Sequence, residues 1–111
     1  MQTNNITTAQ KFRDAESLWF WFISSSQIRD HMYRGGTGNF RPCELVDVET
    51  LVTRLFLSGK LSREQLSVIQ EYGLRRRAPH QHIYSENRAA GLWSAAMVTL
   101  SVAARTKGWV E

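Results

Sequence analysis

Residues 61–66, Leu-Ser-Arg-Glu-Gln-Leu, carry a complete helix start. Ser62 and Gln65 stand at the spacing of a capping box, in which each side chain satisfies the other residue's backbone N–H, and Leu61 and Leu66 form the hydrophobic staple around it. The spacing predicts a helix from Arg63, lined by Leu66, Ile69 and Tyr72, with Gly73 as its stop. Upstream, Asp47 is placed to cap a helix whose Val48, Leu51, Val52, Leu55 and Phe56 recur at steps of three and four, and Gly59 supplies the left-handed residue that ends it. Two helices joined by so short a connection must fold back or cross.

The same period runs through the rest of the chain. Phe12, Ala15, Trp19, Phe22 and Ser26 form a helical line behind a cap at Thr7 or Thr8, while Leu18, Phe20, Trp21 and Ile23 fill the remaining circle. A helix that is apolar all round has to be wrapped by protein. Ser24–Ser26 weaken the pattern, and Gly35, Gly36, Gly38 and Pro42 end it. Residues 74–84 have no period, and Pro79 excludes a long helix there. Ser85 opens a last helix with Ala89, Leu92, Trp93, Ala96, Leu100 and Ala103 facing inward, closed by Lys107 and Gly108. No segment alternates with the period of a strand, and no internal repeat is present. The expectation is all-α: a single domain over residues 1–111, of four or five helices, with 47–73 as a two-helix unit and 74–84 as a basic connection.

A chain of 111 residues with one cysteine, Cys43, has no intramolecular disulfide to rely on. At this length a core can form unaided, since about two thirds of the unfolded chain's surface is buried on folding. Cysteine usage points to a reducing, cytoplasmic setting. The strongest apolar run, Leu18–Ile23, falls far short of the roughly 20 residues that span a bilayer, and the first residues carry neither the basic head nor the apolar stretch of a signal peptide. No membrane association is expected.

The net charge is +4, and +3 of it falls on residues 73–88. That block directly follows the capped helix. Taken together, residues 51–77 resemble a helix-turn-helix DNA-binding unit: Leu55 and Gly59 end its first helix, Leu61 is the apolar turn residue, and Leu66 and Ile69 anchor its second. Phe56 stands where such units usually carry a small residue. In a general way the segment also resembles the DNA-reading end of sigma-type initiation factors. The resemblance implies double-stranded DNA as partner, with Arg63, Ser67 and Gln70 turned to base edges and Ser62, Arg75, Arg76 and Arg77 at phosphates. Glu64 and Glu71 oppose this, because both repel a phosphate backbone.

Other chemistries find less support in the sequence. Cys43, His80, His82 and His31 do not have zinc-site spacing, and no nucleophile motif joins Cys43 to a histidine. Gly35, Gly36 and Gly38 lack the strand and the lysine of a phosphate loop, and Asp47 and Glu49 do not share a helical face. No enzyme activity, metal or other cofactor is therefore expected. RNA is a weaker candidate, since Tyr72 and Tyr84 are the only rings beside the arginines. Trp19, Phe20, Trp21 and Phe22 are consecutive large rings, more than one small chain easily covers, and surplus rings mark a contact with another protein. The expectation is a homodimer through Trp19, Phe20 and Trp21 of the first helix, with the last helix as an alternative further contributor. The alternative function is a protein-interaction or accessory module acting through that aromatic face without nucleic acid.

Overall fold

Asp14 starts the first helix: its carboxylate accepts the Ser17 N–H at 2.8 Å, and that bond holds the carboxyl below its ordinary value. The structure, a computed structural model, describes residues 10–31 and 41–111, in which four α-helices follow one another. They are α1 (Ala15–His31), α2 (Leu45–Leu57), α3 (Arg63–Arg75) and α4 (Asn87–Lys107), the last preceded by a short 3-10 turn at Tyr84–Glu86. The domain is all-α, and the described residues contain no strand.

Helix α1 starts later than expected, and Thr7 and Thr8 lie outside the described residues. Phe12 is not helical. It forms an isolated parallel bridge with Val110, its N–H donating to the Trp109 carbonyl at 2.9 Å and its own carbonyl accepting from the Glu111 N–H at 3.0 Å. The segment entering α1 is thereby tied to the segment leaving α4. Helix α1 does continue through Ser24–Ser26. The expected glycine stop at 35–38 lies outside the described residues.

The cap of α2 is one turn earlier than Asp47. Glu44 is the N-cap, and Asp47 sits three residues inside it, its carboxylate accepting the Glu44 N–H at 2.8 Å. Both residues suit the start of a helix; an aspartate in the first turn serves the dipole wherever it stands, so its presence does not fix the first residue. The box on α3 forms as expected: Ser62 Oγ accepts from the Gln65 N–H at 3.0 Å, and Gln65 Oε1 accepts from the Ser62 N–H at 2.9 Å.

Gly73 does not end α3. The helix runs to Arg75, and Arg76, with φ of 62°, takes the left-handed position at its end. Gly73 is buried inside the helix for a different reason. A Cβ at that position would lie 2.8 Å from Trp19 Nε1 and 2.9 Å from Ile23 Cγ1. The missing side chain lets the indole of α1 reach the α3 backbone, where Trp19 Nε1–H donates to the Ile69 carbonyl at 2.6 Å.

Helix α4 begins at Asn87 rather than Ser85 and is turned slightly from the expected orientation. Its buried face is Ala90, Trp93, Ala96, Met97, Leu100 and Ala104, with Ala89, Leu92 and Ala103 at the margin. Alanines on several sides of this helix leave the phase of its stripe open by one position. α3 and α1 pack along this face, and α2 rests on α1.

Candidate nucleic-acid interface

The outward side of α3 is built from its helical period. Leu66, Ile69 and Tyr72 turn inward, so Arg63, Ser67, Gln70 and Leu74 line up on the exposed side. Arg63 is the only charged group on that line. Glu64 and Glu71 occupy the next line, beside α4, and each is bound by an arginine. Arg88 of α4 donates to Glu64 at 2.7 Å, and Arg75 donates to Glu71 at 2.8 Å one turn along α3. The two carboxylates that oppose a phosphate backbone are thus paired within the protein. Lys60, Arg63 and Arg76 make no ion pair among the described residues.

The three consecutive arginines do not act alike. Arg75 lies over the Tyr72 ring at 4.8 Å while paired with Glu71. Arg76 is exposed. Arg77 turns away to form a two-pronged bond with Glu86, at 2.9 and 2.6 Å, and Glu86 also accepts the His80 N–H at 2.8 Å. Glu86 is buried, and its three bonds close the 77–86 connection, including buried Pro79, into a fixed loop against the start of α4. Arg77 therefore has a structural partner that the sequence reading did not anticipate.

The bonds from Arg77, and next the His80 N–H, lower the Glu86 carboxyl from 4.5 to about 2. The unfolded chain thus takes up this proton first as pH falls, so the stabilisation is complete above about 4.5 and is lost on acidification towards 2. Glu86→Gln is expected to be less stable than wild type near neutral pH, with the difference in urea midpoint shrinking across that acid window. A difference of equal size at both ends would contradict the pairing.

The aromatic residues of α1 are distributed within the chain. Trp19 is 2 % exposed and belongs to the core, against the expectation that it meets a second chain. Successive positions on a helix point about 100° apart, so four consecutive rings meet different neighbours. Trp19 contacts α3 and Phe22, at 5.3 Å between ring centroids. Phe20 stacks on Trp93 at 5.6 Å, and Trp21 lies against Phe12 at 5.2 Å with the Arg41 guanidinium 5.7 Å from its ring. Phe20 and Trp21 stay half-buried. Trp93 is fixed in turn by donating to Glu16 at 2.8 Å.

Between α2 and α3 a cleft of about 450 Å³ opens over α1, floored by Trp19 and Phe22 and walled by Val52, Phe56, Leu66 and Gln70. Helices α2 and α3 have little direct backbone contact and meet through α1. Cys43 is buried, and burial pushes its thiol up to about 11, which keeps it protonated at neutral pH. Among the described residues no three His, Cys, Asp or Glu side chains gather as a metal site, and no helix is long and apolar enough to cross a membrane. No protein-family model, curated protein or solved structure matches the chain.

Proposed function

We propose that the protein is a small cytoplasmic DNA-binding protein, in the manner of a transcription regulator, that presents the outward side of α3 to a duplex. The observation that carries this reading is the pairing of Glu64 with Arg88 and of Glu71 with Arg75. It removes the local negative charge and leaves Lys60, Arg63 and Arg76 around a line of Ser67 and Gln70. Arg63 and Gln70 have the donor and acceptor geometry suited to guanine and adenine edges. Ser62 Oγ accepts from the backbone, and its hydroxyl hydrogen is left for a phosphate oxygen. Arg76 extends the basic rim, while Arg75 is shared with Glu71 and Arg77 contributes through the loop that it fixes.

Two substitutions separate the roles. Arg76→Asn removes a charge with a residue that tolerates the left-handed backbone, so it is expected to weaken binding to every duplex and to flatten the slope of log affinity against log salt by about 0.9. Arg63→Ala is expected to cost about 1–3 kcal/mol on a selected site and much less on mixed-sequence DNA. Fluorescence anisotropy on both duplexes at several salt concentrations measures the two effects. Identical behaviour of the two variants on both duplexes would contradict the assignment of reading to Arg63. The second reading, a protein-interaction module, is favoured by the engagement of Arg75 and Arg77 with carboxylates inside the chain, which reduces the charge available to DNA.

A further inference from the structure

Trp19, Trp93 and Trp109 are almost fully enclosed, at 2, 3 and 8 % exposed. A buried indole N–H normally has an acceptor, because without one it forfeits the hydrogen bond it made to water. Trp19 donates to the Ile69 carbonyl and Trp93 to Glu16. Trp109 donates to no group among the described residues. Its nitrogen is not sealed in, since the one fully enclosed side-chain polar atom without a partner among those residues is Ser26 Oγ. Trp109 instead lines a recess of about 220 Å³ between α2 and the end of α4.

The other residues of the recess add charge. Arg54 and Thr50 line it from α2 and Lys107 from α4, with Leu51 as an apolar wall and Asp47 on the same line of α2. At about 100° per residue that line lies opposite Val52 and Phe56, so the recess is separate from the cleft over α1. Arg75, Arg77 and Arg88 each hold a carboxylate, whereas Arg54 and Lys107 make no ion pair among the described residues. The Thr50 hydroxyl, unlike those of Thr99 and Thr106, makes no bond back to its own helix.

Two cations against one carboxylate leave the lining positive. The features that oppose an anion are engaged within the chain: Asp47 accepts the Glu44 N–H, and at the end of α4 the Ala104 and Arg105 carbonyls accept from the Trp109 and Gly108 N–H groups. Donors from a guanidinium, an ammonium, an indole and a hydroxyl outnumber the oxygens of a carboxylate and suit the three terminal oxygens of a phosphate monoester. The recess is larger than a bare phosphate needs, and Leu51 and the Trp109 ring give it an apolar side. We propose that it binds a small phosphate monoester, the phosphate held by Arg54, Lys107 and the Trp109 indole N–H, and the organic body lying against Leu51 and the Trp109 ring.

The proposal does not depend on DNA binding and is tested without it. Phenyl phosphate is titrated at low salt into the full chain labelled for heteronuclear NMR, with circular dichroism as the check on folding. The indole N–H resonance that is missing from Trp109→Phe is expected to move saturably below about 10 mM ligand, while those of Trp19 and Trp93 stay in place. Benzoate and inorganic phosphate are expected to bind more weakly than phenyl phosphate, and phenol not at all. Arg54→Gln and Lys107→Gln, both at exposed positions, are each expected to weaken phenyl phosphate by about tenfold, the loss of a charged donor. Trp109→Phe keeps a ring, loses the N–H and is expected to weaken it about threefold. No saturable shift, an equal response to phenol, benzoate or inorganic phosphate, a Trp109 resonance that stays in place, or an Arg54→Gln or Lys107→Gln variant that binds as tightly as wild type would each overturn the proposal.

Discussion

Replacing Gly73 by alanine is expected to destabilise the fold by about 1–3 kcal/mol, the range for overpacking a filled core. Local propensity argues the other way, because alanine is about 1 kcal/mol better than glycine inside a helix. Packing decides the sign. The added methyl would sit 2.8 Å from the Trp19 ring nitrogen and 2.9 Å from Ile23, contacts that force the indole away from the Ile69 carbonyl. Urea denaturation of wild type and variant measures the effect, and an unchanged or raised midpoint would show that α1 and α3 are not in such close contact.

Trp19→Ala is expected to have the larger effect, about 3–5 kcal/mol, from the range for deleting a large buried aromatic side chain. That is a substantial part of the total stability of an ordinary domain. The ring fills the junction of α1, α2 and α3 and donates a hydrogen bond to the α3 backbone. The two substitutions are coupled because the residues touch. With the indole gone, the obstacle facing a residue 73 methyl is reduced to the Ile23 side chain, so the penalty of Gly73→Ala shrinks or reverses in the Trp19→Ala background. Simple additivity in the double variant would contradict the direct contact.

These two residues also show where local sequence signals mislead. A glycine after an apolar line reads as a helix stop because that is its most frequent role, and Gly59 and Gly108 fill it, each at φ of 82°. Gly73 carries the same signal but serves a contact with a residue 50 positions away, which no local pattern contains. The helix ends instead at Arg76, where a non-glycine residue occupies the left-handed region. Ser62 was legible because both partners of its box lie within one turn. The start of α1 was not, because Phe12 has the right helical spacing and is held outside the helix by Trp109 and Glu111 from the far end of the chain.

The candidate interface was legible to the same extent. Helical period placed Arg63, Ser67 and Gln70 on one line, and the structure keeps them there. The ion pairs around them were hidden. Glu64 meets Arg88 from 24 residues along the chain, and Arg77 meets Glu86 across a segment with no period at all. Both pairs change the charge available at the surface without changing the net charge, which composition alone reports.

The proposed role of α3 is tested most directly by titrating a fluorescent mixed-sequence duplex with wild-type protein from about 50 to 200 mM salt. The account predicts saturable binding that weakens as salt rises, with a log–log slope of about −2 to −3, as few phosphates are contacted by Lys60, Arg63 and Arg76. No binding at the lowest salt, or binding independent of salt, would contradict it.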